Sequence, residues 1–164
     1  MLSHTYLPAH ITGVWLDDAP ASEGRLNATL AAEYGVPVLV VTGDDRACAD
    51  AAEYAPDAEH VVVKECVSRY AAVCDPPSVT AARIADAAER AMLRAGRGAP
   101  VVGAHRIEIE FDASHLAQAA AVVPTVAETG LRRVAFEAAT MTEAMKAFKV
   151  VTSIADSAVQ GRYG

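Results

Sequence analysis

The stretch Val36-Pro-Val-Leu-Val-Val-Thr-Gly-Asp-Asp-Arg-Ala47 carries an apolar run straight into a glycine and two adjacent acids. Val38 to Val41 is apolar at every position rather than at alternate ones, the pattern of a strand covered on both faces, and Asp44 to Tyr54 then reads as a helix. A strand that enters a helix through such a corner begins a βα unit. The corner could cradle phosphate, hold a metal or simply start the helix. Phosphate is disfavoured, because there is one glycine, no Lys-Ser/Thr pair, and two carboxylates that repel an anion. Gly43 offers a tight turn, and Asp44 or Asp45 suits the cap of the following helix and complements its dipole. A metal at this acid pair would need converging ligands from elsewhere in the chain.

Working outward, Thr12 to Leu16 is a first strand, and Ser22 to Tyr34 a helix with Leu26, Leu30 and Tyr34 on one stripe, stopped by Gly35 and Pro37. His60 to Val63 is a third short strand. Asp75-Pro76 places an N-cap before a proline at the first helical position, and the helix runs to about Ala95 with Ile84, Ala88, Met92 and Ala95 inward. The connector Ala95 to Pro100, "AGRGAP", is the natural internal boundary. Beyond it "RIEIEF", Arg106 to Phe111, and "RVAFE", Arg133 to Glu137, alternate in period two, which predicts two paired strands with one wet face. Thr140-Met-Thr-Glu143 is a capping box ahead of Met141, Ala144, Met145, Phe148, Val151 and Ala155 at helical spacing. The fold class is α/β: a mostly parallel sheet with flanking helices over residues 1–97, apparently short of its amino-terminal strands, and a smaller βαβα section over 98–164 packed on it.

The 164 residues are about one domain's worth. A formal charge of −7 and no basic cluster argue against nucleic acid as a partner. The three cysteines, Cys48, Cys66 and Cys74, lack CxxC spacing and suit reduced thiols in the cytoplasm rather than a disulfide framework. The amino-terminal stretch has no basic region and is broken by His4, Pro8 and His10, so it does not read as a signal peptide. No apolar run approaches the roughly 20 residues that span a bilayer, and a membrane is not an expected partner.

Few residues announce chemistry singly. Glu23, in "SEGRLNA", reads as a first-turn acid that complements its helix dipole. His4 lies close to a terminus, and His10, His60, His105 and His115 form no HExxH-like pair, so spacing alone assigns no zinc site. No serine stands in a GxSxG frame. Lys64 and Arg69 follow the third strand at the same sheet end as the acid pair, either as cations beside a site or as a solvated loop.

Three segments in order, "LSHTY", "SEGRLNATLAAEYGVPVLVVTGDDRACADA" and "VVVKECVSRYAAVCDPP", together with "IEIEF" and "VAFEAATMTEAMKAF", resemble the carboxyl-terminal part of the bacterial D-aminopeptidase family, dinuclear zinc peptidases encoded with dipeptide-transport genes. The resemblance covers nearly the whole chain. It implies that Glu23 matches the family's last zinc-ligating glutamate and His4 its catalytic histidine. It also implies that Asn27, Asp44, Asp45, Lys64 and Arg69 lie on the substrate side, and that the partners are short peptides and further copies in a ring-like homo-oligomer. In the family, metal-bound hydroxide attacks the peptide carbonyl, and a nearby imidazole moves a proton or steadies the oxyanion.

The family's other ligands, an Asp-x-Glu pair and two histidines, precede the segment that matches His4. Here His4 lies three residues from Met1, so the chain looks like a carboxyl-terminal portion of such an enzyme. One glutamate cannot hold a catalytic zinc, which takes about three protein ligands. The expected function is therefore zinc-dependent hydrolysis of short D-amino-acid-containing peptides, with the missing ligands supplied from elsewhere. The alternative is a non-catalytic binding or oligomerisation module of the same descent. A phospho-acceptor built on Asp44 and Asp45 ranks last, because a further acid and a late lysine cannot be placed.

Overall fold

The computed structural model describes Tyr6 and residues 9–160. Residue contacts divide these into two compact units, Tyr34–Pro100 on one side and residues 6–33 with 101–160 on the other. The expected boundary after residue 97 falls near one crossing between the units, and the second crossing is at Glu33/Tyr34.

In the unit formed by residues 6–33 and 101–160, a hairpin of β1 (Ile11–Leu16) and β2 (Ala19–Pro20) turns through Asp17 and Asp18. Both residues are left-handed, with φ 51° and 66°, the geometry of a two-residue I′ turn. The Asp17 carboxylate fixes the turn by accepting the Arg106 N–H at 2.8 Å and meeting His105 Nδ1 at 2.8 Å. Strand β1 pairs antiparallel with β6 (His105–Phe111), which pairs antiparallel with β8 (Arg133–Ala138). β7 (Ala127–Gly130) closes the order β2-β1-β6-β8-β7. Thus "RIEIEF" and "RVAFE" pair as their alternation requires.

The inward residues Val14, Ile107, Ile109, Phe111, Val134 and Phe136 pack with Leu26 of α1 (Glu23–Glu33), Leu116 of α4 (Ser114–Ala120) and Met141, Phe148 and Val151 of α5 (Met141–Gln160). The opposite face carries a charge ladder. Arg106 and Arg133 pair with Glu108, Arg132 and Arg133 pair with Glu110, and Arg133 lies 4.4 Å over the Trp15 ring.

Helix α5 starts where its capping box predicts. Thr140 Oγ1 accepts the Glu143 N–H at 3.1 Å, and the Glu143 carboxylate accepts the Ala139 N–H at 3.2 Å. The last residue of α1 adds a further cap, because the Glu33 carboxylate accepts from the Thr142 N–H and hydroxyl. These bonds, the hydroxyl's foremost, hold Glu33 below the usual carboxylate range.

Unit Tyr34–Pro100 is a three-stranded sheet in the order β3 (Val40–Asp44), β4 (Glu59–Ser68), β5 (Ala71–Cys74), with α2 (Asp45–Tyr54) between β3 and β4, and α3 (Pro77–Arg94) after β5. Gly35, with φ 66°, follows α1 in the left-handed conformation, and a side chain there would meet the Gly98 carbonyl oxygen.

Several expectations are corrected. The α/β class holds, but the mostly parallel sheet does not: among the described residues only β3 and β4 run parallel, because the remaining strand neighbours are hairpins or antiparallel returns. Helix α1 ends at Glu33, which leaves Tyr34 exposed and off the inward stripe. Helix α3 begins one residue later than expected, at Pro77. Asp75 binds Arg83 at 2.7 Å instead of capping it. The buried face of α3 is Ala87 and Ala91, so Met92 and Ala95 are exposed and Ile84 and Ala88 only half-buried. The small alanine stripe packs closer to the sheet than the larger Met92 would allow.

Candidate functional site

Ser22 starts α1 by accepting the Arg25 N–H on its hydroxyl at 3.2 Å, a bond that sets Glu23 in the first turn. Four residues on, Asn27 shares the face of Glu23. Tyr6 ties these two together. Its backbone N–H donates to Glu23 Oε2 at 3.4 Å and its hydroxyl donates to Asn27 Oδ1 at 2.8 Å. Its ring stands edge-on to Phe148, with centroids 5.1 Å apart. Tyr6 holds this position with φ 53°, a left-handed conformation that a bulky residue adopts only under constraint. Burial pushes the Tyr6 phenol above its ordinary pKa and the Glu23 charge adds to this, while the bond to Asn27 acts the other way. A pocket of about 160 Å³ opens between Tyr6 and one stripe of α5, with Lys149, Thr152 and Asp156 among its polar lining.

Sequence reasoning missed Tyr6. Its signal was only that it stands two residues after His4, and nothing local marks a left-handed tyrosine. His4 itself lies outside the described residues.

The other candidates belong to unit Tyr34–Pro100. Asp44 caps α2: its Oδ1 accepts the Ala47 N–H at 2.8 Å, and this bond foremost holds its carboxyl below the usual range. Asp45 accepts the Cys66 N–H at 2.7 Å, tying the start of α2 to β4, and lies 3.6 Å from Arg46. The capping reading of the acid pair is therefore the one observed for Asp44. Gly43 is not there for a left-handed turn. It is there for closeness, because a Cβ at that position would lie 2.9 Å from the Ala47 Cβ.

Lys64 does not follow the third strand but lies inside it, since β4 runs to Ser68, and it stands in register with Asp44 on one side and Cys74 on the other. Arg69 occupies the exposed β4–β5 turn, 5.9 Å from the Tyr70 ring. Cys48, on α2, is buried, which pushes its thiol pKa up, and the charges of Asp44 and Asp45 add to this. His60 is on β4 with its Nε2 buried and without a hydrogen-bond partner among the described residues.

The fit of a zinc ion can be judged from these donors. Among the described residues no three of His, Cys, Asp or Glu come together closely enough to hold a metal. Glu23 offers one carboxylate, and His10 and His105 are turned toward Asp112 and Asp17. The described residues do not by themselves make a zinc centre, which takes about three protein ligands.

Comparison with known proteins accords with the arrangement. The profile of the D-aminopeptidase family matches residues 1–150. The D-aminopeptidase of Bacillus subtilis (strain 168) is 35% identical over 144 residues, which are 86% of this chain and 53% of that protein. A solved structure, the Zn-dependent D-aminopeptidase DppA from Bacillus subtilis, described as a self-compartmentalizing protease, superposes with a TM-score of 0.87 and 32% identity over 94% of this chain and 57% of its own. The chain thus spans about half the length of the relatives it matches. With a family profile across nine-tenths of its length and an α/β fold shared with a solved member, this chain belongs to the D-aminopeptidase family.

Proposed function

We propose that the chain is the carboxyl-terminal portion of a zinc-dependent D-aminopeptidase, hydrolysing short D-amino-acid-containing peptides in the cytoplasm as a homo-oligomer. The observation that carries this reading is the pinning of Glu23. Its carboxylate sits at a helix start, held by the amide of Tyr6, whose side chain is in turn locked by Asn27 and Phe148. A metal-ligating carboxylate needs this kind of outer support to keep its orientation. Zinc would be held by Glu23 together with ligands from the remainder of the enzyme, and would supply Lewis acidity and an activated water.

The contribution of this chain's own residues is to fix geometry. Tyr6 orients Glu23, and His4 takes the role of the proton-handling imidazole in this reading. Asn27, Asp44, Asp45, Lys64 and Arg69 are the substrate-side residues of this reading. The thiols Cys48, Cys66 and Cys74, without CxxC spacing, support a reducing compartment. The self-compartmentalizing description of the solved relative supports assembly of several copies.

The test is zinc content per chain after equilibration with zinc and desalting. It is measured on the 164-residue protein alone and together with the amino-terminal portion of the Bacillus subtilis enzyme, with release of free D-alanine from a D-alanyl dipeptide followed in parallel. Near-stoichiometric zinc and D-alanine release are expected only in the combination, and both are lost in Glu23→Ala. Zinc retention that is indifferent to Glu23→Ala would overturn the assignment of Glu23. Neither zinc nor hydrolysis in the combination would leave the second reading, a binding or oligomerisation module, for which the exposed Val67, Tyr70 and Val73 of the β4–β5 hairpin offer a contact surface.

A further inference from the structure

Helix α5 carries two stripes side by side. Met141, Ala144, Phe148, Val151 and Ala155 are buried and make its core stripe. One position around the helix, Lys149, Thr152, Ser153 and Asp156 recur at i, i+3, i+4 and i+7, so these four polar residues share a face. They line the pocket of about 160 Å³ whose walls include the rings of Tyr6 and Phe148. Thr152 is buried there, and its hydroxyl donates back to the Phe148 carbonyl at 2.9 Å and toward that of Lys149 at 3.2 Å. That leaves the hydroxyl lone pairs for a donor from outside the helix.

The two charges of this stripe differ from those on the sheet face of the same unit. There Arg106, Arg132 and Arg133 each meet a glutamate. Among the described residues the Lys149 ammonium and the Asp156 carboxylate meet no opposite charge and make no hydrogen bond. They line one pocket but cannot pair with each other, because seven residues of helix separate their Cα atoms by about 10 Å. A lone cation and a lone anion at the two ends of a pocket with aromatic walls are complementary to a ligand that carries both charges.

Spacing sets the length of that ligand. Helical side chains lean the same way along the axis, so the charged heads keep roughly the separation of their Cα atoms. Two charge-assisted hydrogen bonds of about 2.8 Å each leave about 5 Å for the ligand to span. A free amino acid carries both charges on one Cα, about 2.5 Å apart, and falls short, whereas a second residue adds about 3.5 Å. The volume of about 160 Å³ sets the upper limit, since it lies below the roughly 300 Å³ at which sites for drug-sized ligands begin.

We propose that this pocket binds a zwitterionic dipeptide with small apolar side chains. Its carboxylate lies on Lys149, its ammonium on Asp156 and its peptide N–H on the Thr152 hydroxyl, while the Ser153 hydroxyl donates to the peptide carbonyl. The side chains pack on Tyr6 and Phe148. The inference goes beyond the proposed hydrolysis, because it rests on the α5 pocket and requires neither zinc nor Glu23 as a ligand.

The test is a titration of the 15N-labelled 164-residue protein with D-alanyl-D-alanine and, separately, L-alanyl-L-alanine, in the presence of a chelator and followed by amide resonances. Saturable shifts are expected at Tyr6 and from Lys149 to Asp156. Lys149→Met and Asp156→Asn, both surface changes checked by circular dichroism, should each weaken binding at least about 10-fold. N-acetylation of the dipeptide should cost the parent the same factor and cost Asp156→Asn nothing further; amidation of its carboxyl end should behave likewise toward Lys149→Met.

The proposal is overturned if neither dipeptide gives saturable shifts at these positions, if the acetylated or amidated forms bind the parent as tightly, or if either variant binds as the parent does. Free alanine bound as tightly as the dipeptide overturns it equally, since the two charges would then not be read together. Binding of the L-dipeptide alone would count against the D-peptide function and leave the pocket standing. Binding of the D-dipeptide here, with no zinc or hydrolysis when the rest of the enzyme is supplied, would separate the two in the same way.

Discussion

Gly13→Ala is the most informative single change in the structure, because the chain has one tryptophan and it lies on that glycine. A Cβ at position 13 would stand 2.5 Å from Trp15 Cη2 and 2.8 Å from Cζ3, inside any allowed contact. The backbone at Gly13 is not left-handed, so the strain falls on the indole. Trp15 must swing off its place over β1, leaving a strained rotamer at about 0.5–1.5 kcal/mol. It also gives up the Arg133 guanidinium 4.4 Å above its ring, at about 0.5–1 kcal/mol for such an exposed pair.

Against this, replacing glycine removes unfolded-state freedom and returns about 0.4–1 kcal/mol. The net expectation is a loss of about 1 kcal/mol, read by urea unfolding followed through Trp15 emission, with a red shift of the native spectrum as the ring enters water. Gly103→Ala is the control, since nothing lies within 4 Å of its Cβ, and it should be neutral or slightly stabilising. In a Trp15→Ala background, which has no tryptophan and is followed by circular dichroism instead, the cost of Gly13→Ala should disappear, a coupling of about 1–2 kcal/mol. An unchanged emission maximum and an unchanged unfolding midpoint in Gly13→Ala would refute the packing of Trp15 on β1.

Two further outcomes follow from bonds already described. Asp44→Ala removes the cap of α2 and should cost about 1 kcal/mol in urea unfolding, whereas Asp44→Asn, itself a good cap, should cost far less; equal losses would mean that charge rather than capping governs the position. Glu59 binds Arg90 and Arg94, whose bonds lower its pKa to about 2. A lowered folded-state value means that its contribution is fully present above its ordinary value of 4.5 and is lost as pH falls toward 2. Acid melts of Glu59→Gln should therefore show a shallower decline between those limits than the parent, and parallel declines would remove Glu59 from the acid response.

Local pattern and long-range partner separate cleanly in this chain. The alternation of Arg106 to Phe111 and of Arg133 to Glu137, the capping box at Thr140 and the stripe of α5 are all period and punctuation, and each is written within a few residues. The same locality gave Asp44 as a cap. The candidates Glu23 and Asn27 came only from a matched motif. Tyr6, which holds both, is separated from them by 17 and 21 residues and adopts a backbone conformation that no local pattern announces.

The sequence by itself determined the strands β1, β6 and β8 and the helix α5 with its apolar face, because burial there repeats with the period of the element, whereas the inward face of α3 was set by packing. Only the tertiary structure decided the partners. β1 pairs with β6 some ninety residues later, which makes that sheet antiparallel, and Lys64 comes to stand across from Asp44 in mid-strand. Backbone hydrogen bonding is the same for every residue type, so sheet order is chosen by which apolar faces can be buried together. That choice is also why the apolar run at Val38 to Val41 reads as the centre of a sheet and yet lies at the edge of the one this chain builds.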